Sequence, residues 1–151
     1  MIAIDFAATK LFVDRAAVKR RTSRAHRRFL ARAGGYARKT ARRSMRPAGK
    51  KGKRSQPGEP PRSREGSLRR FLYFQFEPGA NSVIVGPAGF SGSRVPDILE
   101  RGGTLAFTDK RTKQKRTKRI AARPYMAPAL AATAPQLETM MADAYRREFD
   151  R

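Results

Sequence analysis

Side chains that could perform acid–base, nucleophilic or metal chemistry are scarce in this sequence. The chain has no cysteine and one histidine, His26, which stands among Arg24, Arg27 and Arg28. Neighbouring cations disfavour a second positive charge and repel a metal ion. We therefore interpret His26 as an exposed helix residue. Cysteine nucleophiles are excluded, and we expect no histidine-based triad.

The carboxylates offer one pair with suggestive spacing. Asp97 and Glu100 are three residues apart and would share one face of a short helix. A metal site could start there, but an exposed face or an ion pair with Arg101 is the simpler interpretation. The glycine-rich stretch at residues 86–93 lacks the lysine and spacing of a phosphate-binding loop. We predict no catalytic, cofactor-binding or metal-binding residue, and no enzyme.

Positive charge is the dominant property of the chain. Its 151 residues carry 35 Lys and Arg against 12 Asp and Glu, a net charge of +23. Residues 10–54 hold 18 of these cations with one acid, and residues 110–119 hold seven. Such asymmetry favours an anionic partner, either nucleic acid or an acidic protein surface, although a solvated cationic face stays open. The candidate contacts are Arg111, Lys113, Lys115, Arg116 and Lys118.

Length and hydropathy are those of one domain spanning residues 1–151. No apolar run approaches the roughly 20 residues that span a bilayer. The N-terminus lacks the basic start of a secretory signal. We expect a soluble protein that is made in the cytoplasm and has no membrane contact.

The helices and strands that would position the candidate side chains follow an α+β order. A long cationic helix is predicted over residues 9–45, with a kink or a break at Gly34-Gly35. A loop rich in Gly, Pro and basic residues follows over residues 46–66. Residues 67–151 then predict a small antiparallel sheet of about four strands, a short middle helix and a C-terminal helix.

The strand and helix bounds come from alternation and turn signals. Val83-Ile84-Val85 is apolar on both faces, which predicts a well-buried second strand. Lys110–Lys118 is too charged for a core and predicts a hairpin tip. The C-terminal helix contains Pro128 and Pro135, so we expect a short first turn that resumes after Pro135. The predicted strands cover residues 70–77, 82–86, 104–108 and 119–122, and the later helices cover 95–101 and 125–149.

Aromatic residues cluster on the first predicted strand. Phe71, Tyr73, Phe74 and Phe76 lie beside arginines and could stack on the bases of a single-stranded nucleic acid. Alternating aromatic residues on a strand are more often part of a core. Both interpretations stay open at this point.

Several short motifs occur in a recognisable order. A cationic helix carrying Tyr36-Ala37 precedes a Pro-Gly-Glu-Pro-Pro loop at residues 57–61. Val83-Ile84-Val85-Gly86-Pro87, then Ile98-Leu99-Glu100-Arg101-Gly102-Gly103, and finally Arg123-Pro124-Tyr125-Met126-Ala127-Pro128-Ala129-Leu130 follow. Over about residues 10–135 this order resembles the tail-completion, or tail-to-head joining, proteins of long-tailed bacteriophages.

The resemblance implies a structural subunit of the phage neck. Such subunits assemble into a homo-oligomeric ring, a hexamer or a dodecamer, that caps the tail tube and docks on the head connector. The implied partners are the connector or head-completion protein, the tail tube protein, and DNA that passes through the lumen. The implied location is the virion neck, at the head–tail interface. The very high charge and the insert at residues 110–119 depart from the family pattern.

Two sets of residues are then assigned to interfaces and to local structure. Pro57, Gly58, Glu59, Pro60 and Pro61 are candidates for wrapping a neighbouring subunit. The candidate structural residues are Gly86, Pro87, Gly102, Gly103, Arg123, Pro124 and Tyr125. The alternative function is a cationic nucleic-acid-binding protein without sequence specificity that acts outside a virion.

Overall fold

The first helix, α1, is the longest element of the structure. The computed structural model describes residues 14–48, 52, 55–62, 65–77, 79–90, 93–109 and 111–150. In it, α1 spans Arg15–Ser44, and the Asp14 carboxylate caps it by accepting a hydrogen bond from the Ala17 N–H at 2.9 Å. The predicted helix is confirmed over its described part, and residues 9–13 lie outside it. Gly34-Gly35 neither breaks nor ends the helix.

Small residues form the buried face of α1. Three of its buried alanines, Ala33, Ala37 and Ala41, recur every four residues, which lets the helices and strands that pack on α1 approach its backbone closely. By contrast, Val18 and Tyr36 are exposed. The buried residues of α1 are Ala25, Leu30, Ala33, Gly34, Ala37 and Ala41.

Gly34 marks the closest approach between α1 and a strand. A Cβ atom at Gly34 would lie 2.7 Å from Val83 Cγ2 and 3.1 Å from a ring carbon of Phe74, whereas one at Gly35 would meet nothing within 4 Å. We expect Gly34→Ala to lower the free energy of unfolding by about 1–3 kcal/mol through overpacking. Gly35→Ala should instead raise it, by at most about 1 kcal/mol, through helix propensity.

Urea denaturation of the two variants beside the wild type measures this difference. Equal effects of the two substitutions would show that α1 does not pack on the strands at Gly34.

The four strands form two separate hairpins. In the first, β1 (Leu72–Glu77) pairs antiparallel with β2 (Ser82–Pro87); in the second, β3 (Gly103–Thr108) pairs antiparallel with β4 (Lys115–Ile120). The predicted mixture of helices with four antiparallel strands is confirmed, but the strands form two two-stranded sheets in place of the one predicted sheet. Four of the six β4 residues are Lys or Arg and they occupy both faces, so neither face of this hairpin can enter a core.

The first hairpin packs only one face on α1. Val83 and Val85 point with Phe74 and Phe76 toward the helix, while Ile84 points outward and is 58% exposed. The expectation that β2 is buried on both faces was wrong. No second layer covers the outer face among the described residues.

The remaining helices follow the predicted order. The short helix α2 (Ser67–Arg70) was not predicted, whereas α3 spans Val95–Arg101 as predicted. Asp97 forms the expected ion pair with Arg101 at 3.3 Å. The fourth strand begins at Lys115, four residues before its predicted start, so part of the expected hairpin tip is strand. The interrupted C-terminal helix is confirmed as α4 (Met126–Thr133), a 3₁₀ turn (Ala134–Gln136) and α5 (Leu137–Phe149).

A small core joins the C-terminal end of α1 to the rest of the chain. At its C-terminal end, Ala41 and Met45 pack with Leu68, Leu72, Tyr125 and Ala129. Along its length, α1 packs against α4, α5 and the first hairpin. These helices and the first hairpin together form the body of the molecule, from which the second hairpin extends.

Candidate functional site: a cationic hairpin and its anchor

The β3–β4 hairpin, hereafter the cationic hairpin, projects from the body. Its main contact is between β3 and α3, where Gly103 lies against Ile98. Six-residue strands give it a reach of roughly 20 Å. All described residues from Arg111 to Arg119 are exposed, and Phe107 on the other strand is 42% exposed. A two-stranded hairpin without a covering layer is at best marginally stable in water.

All five candidate anion-contact residues lie on this hairpin. Arg111 and Lys113 stand in the turn, while Lys115, Arg116 and Lys118 lie on β4. Asp109 organises the turn, because its carboxylate accepts a hydrogen bond from the Arg111 N–H at 2.9 Å. Asp109 also lies 3.5 Å from the Arg116 guanidinium. The other four side chains form no ion pair within the described residues.

Unlike most cations of the hairpin, three arginines of α1 form ion pairs. Arg24, Arg28 and Arg32 recur every four residues and pair with carboxylates of α5. Glu148, only 6% exposed, forms ion pairs with Arg24 and Arg28, and Asp143 accepts a hydrogen bond from Arg32 at 2.7 Å. The hydrogen bond from Arg32 holds the pKa of Asp143 below its ordinary value. Part of the charge of α1 is thus neutralised within the chain, whereas five of the six described cations of the hairpin have no ion-pair partner among the described residues.

The base of the hairpin is anchored against α3, with contacts where β3 begins and just after β4 ends. Gly102 ends α3 with a φ of +80°, and a Cβ atom there would lie 3.1 Å from the Ala122 nitrogen. Only glycine fits that backbone conformation and space without strain. On the other side, the Arg123 N–H donates to the Leu99 carbonyl at 2.6 Å. These contacts fix the direction in which the hairpin leaves the body.

Glu100 holds the start of α4. Its Oε2 accepts hydrogen bonds from the N–H groups of Tyr125 and Met126 at 2.9 and 3.0 Å, and its Oε1 accepts from Ala127 at 2.8 Å. The free N–H groups of a helix N-terminus need acceptors and favour negative charge. Glu100 of α3 therefore caps the N-terminus of α4, although it lies 25 residues before Tyr125 in the sequence.

Tyr125 is fully buried beside this cap. Burial, and secondarily the negative charge of Glu100, raise the pKa of Tyr125 to about 12, above the ordinary value of 10.0. A raised pKa in the folded state means that the contribution of Tyr125 to stability is present below pH 10. That contribution is lost as the pH rises from 10 toward 12.

We expect one of the four tyrosines to ionise last in an absorbance titration at alkaline pH, and Tyr125→Phe to remove that late component. Four tyrosines that ionise together near pH 10 in the folded protein would contradict the burial of Tyr125.

The proline-rich loop lies against the same anchor. The Gly58 N–H donates to the Ala122 carbonyl at 2.9 Å, and Arg123 Nε donates to the Ser55 carbonyl at 3.3 Å. Ser55 and Pro61 are buried, whereas Pro57, Gly58 and Glu59 are exposed and Pro60 is half-buried. The loop is held by its own chain at both ends, and contact of its exposed tip with a neighbouring subunit stays a prediction.

The aromatic residues of β1 do not form one continuous stacking surface. Tyr73 lies on the opposite face of the strand from Phe74 and Phe76. Arginines of the chain itself already lie over three of the four rings: Arg27 on Phe76, Arg38 on Tyr73 and Arg70 on Phe71, at 5.0–5.5 Å from the ring centroids. The arrangement favours packing over nucleobase stacking.

The other residues singled out in the sequence lie in turns, in strands or at helix starts. His26 is half-buried, not exposed as expected, because its Nε2 lies 3.3 Å from the Asn81 carbonyl oxygen in the turn of the first hairpin. Pro87 is the last residue of β2, opposite Leu72, and Gly86 pairs with Tyr73. Pro124 and Tyr125 directly precede α4.

The described residues contain no group of three or more His, Cys, Asp or Glu side chains that could hold a metal ion. Among those residues, no helix combines the length and the apolar character needed to cross a membrane. No protein-family model, curated protein or solved structure gives a significant match to the chain.

Glu100 is the important residue that the sequence analysis did not assign. The sequence did contain one signal: Arg123, Pro124 and Tyr125 precede α4 and none of them is a good N-cap residue. An acceptor therefore had to come from elsewhere, but its identity depends on how α3 packs beside α4.

Proposed function

We propose that this chain is a structural subunit of a bacteriophage neck, which forms a ring that joins the tail tube to the head connector. The observation that carries the proposal is the cationic hairpin, an element that the chain builds and anchors but leaves uncovered within the described residues. A ring needs head-to-tail surfaces that close by rotation, and an uncovered projecting element supplies one of them.

The rest of the structure fits a structural role. The open edges of both hairpins and the outward Ile84 and Tyr73, 58% and 47% exposed, are surfaces that a neighbouring subunit could cover. The order of motifs in the sequence resembles that of tail-completion proteins. In such a ring the hairpin cations would face DNA phosphates in the lumen or an acidic surface of the connector, without reading base sequence.

A knockout in the encoding phage tests this role. Without the gene, lysates should contain filled heads and finished tails that are not joined, and expression of the wild-type chain from a plasmid should restore joined virions. Normal joined virions in the knockout would overturn the proposal.

The second candidate function is nonspecific nucleic-acid binding outside a virion. It is favoured by the five hairpin cations that have no ion-pair partner among the described residues, Arg111, Lys113, Lys115, Lys118 and Arg119. DNA binding with steep salt dependence, by a chain that neither assembles nor affects virion joining, would support this candidate over the first.

A further inference from the structure

A groove lies at the base of the cationic hairpin, between the end of α1, α2, α3 and β4. Its volume is about 800 Å³, within the range of pockets that hold ligands or anchoring side chains. Part of its floor is apolar and belongs to elements that the core already holds in place. The floor residues are Met45, Leu68, Phe90, Val95, Leu99 and Ile120.

Among the described residues, every charged side chain that lines this groove is a cation. They comprise six Lys or Arg side chains and no Asp or Glu. None of the six has an ion-pair partner among the described residues. The cationic residues are Arg46, Arg62, Arg69, Lys118, Arg119 and Arg123.

From this combination we propose that the groove binds an acidic peptide segment of a partner protein, which inserts an apolar side chain between flanking carboxylates. Guanidinium groups around the rim suit carboxylates, because they donate paired hydrogen bonds to both oxygens. The apolar floor suits an aliphatic or aromatic anchor, the kind of residue that dominates protein interfaces. DNA binding through phosphates would need the cations but not the apolar floor.

A second copy of this chain is poorly suited to fill the groove. Of the eleven described carboxylate side chains, eight already cap helices or turns or pair with groups of their own chain. The other three are Glu65, Glu138 and Asp150. Asp150 belongs to the run Glu148-Phe149-Asp150, but Glu148 is buried and already paired with Arg24 and Arg28. The described residues thus offer no free acidic segment with an apolar centre, so we assign the negative charge to a different protein.

Fluorescence anisotropy with synthetic peptides tests this inference. The probe is a short fluorescein-labelled peptide with glutamates on both sides of a central Leu-Phe pair. One control peptide replaces Leu-Phe with Ser-Ser, and another replaces the glutamates with glutamines. We expect the first peptide to bind, the Ser-Ser peptide to bind more weakly and the glutamine peptide not to bind.

Matched variants separate the groove from the overall charge. Arg62→Glu/Arg69→Glu should weaken binding of the probe by about tenfold or more. Arg20→Glu/Lys39→Glu changes the net charge equally at exposed positions of α1 and should have little effect. Thermal unfolding of each variant checks that the fold is kept.

Two results would overturn the inference. Equal losses in both double variants, or equal binding of the Leu-Phe and Ser-Ser peptides, would show attraction by bulk charge alone. A DNA duplex that loses affinity in the Arg62→Glu/Arg69→Glu variant, while the peptide does not, would assign the groove to nucleic acid. Neither measurement depends on ring formation, so failure here is distinct from failure of the neck proposal.

Discussion

Glu100→Ala should lower the free energy of unfolding by about 2–3 kcal/mol, which corresponds to a fall in melting temperature of about 5–10 °C. The substitution removes both oxygens that accept from the N–H groups of Tyr125, Met126 and Ala127. Two of these three bonds are partly buried, so water replaces the lost acceptor incompletely. The start of α4 and the path of the adjoining hairpin strand would loosen together.

Asp97→Ala is the matched control for this prediction. Asp97 lies on the same short helix, but its ion pair with Arg101 is exposed on both sides. An exposed pair contributes about 0–1 kcal/mol. Glu100→Gln should fall between the wild type and Glu100→Ala, since it keeps one oxygen acceptor. If Glu100→Ala and Asp97→Ala give the same melting temperature, the cap does not hold α4.

Reversing the charge of the hairpin should largely abolish head–tail joining while the chain still folds. Changing Arg111, Lys113, Lys115, Arg116 and Lys118 to Glu lowers the net charge by ten, from +23 to +13. These side chains are exposed, so the cost in folding stability should be small. The change instead places carboxylates against the anionic partner, where like charges repel.

Five exposed cations of α1 provide the control with the same change in charge. They are Arg15, Lys19, Arg20, Lys39 and Arg43, none of which has an ion-pair partner among the described residues. Joined virions are counted by electron microscopy in complemented knockout lysates. Wild-type joining with the reversed hairpin, or an equal defect in both variants, would contradict the role assigned to the hairpin.

The same two variants measure contact with DNA. Each phosphate contact contributes about −0.9 to the slope of log affinity against log salt concentration. If the hairpin lies along DNA, its reversal should flatten the slope by about 3–5, and the α1 variant should retain most of the slope. An unchanged slope would assign the hairpin to a protein partner in place of DNA.

The helices and strands were predicted from the sequence more accurately than the way they pack together. Local signals were sufficient for α1, α3 and the interruption at Pro135, because helix propensity, proline and glycine act within a few residues. The number of sheets depended on packing instead. The cations of β4 indicate that this strand cannot be buried. Because the same cations also suit a hairpin tip, the predicted strand began at Arg119, four residues after the observed start at Lys115.

Long-range contacts account for what the sequence could not provide. Three arginines of α1 look like a free cationic surface in the sequence, and only the packing of α5 reveals that Asp143 and Glu148 neutralise them. The groove is likewise assembled from segments between Met45 and Arg123, and no single stretch of sequence shows it. The hairpin cations were predictable because they lie within one short segment.

Ring formation is the central claim, and the mass of the purified protein in solution tests it most directly. Light scattering should be measured at low and high salt, because repulsion between subunits of charge +23 opposes assembly when it is not screened. Negative-stain images of the same samples, alone and mixed with tail tubes or connectors, then show the shape. We predict rings of six or twelve subunits at high salt or on a partner. A monomer at every salt concentration that binds neither partner would contradict the account.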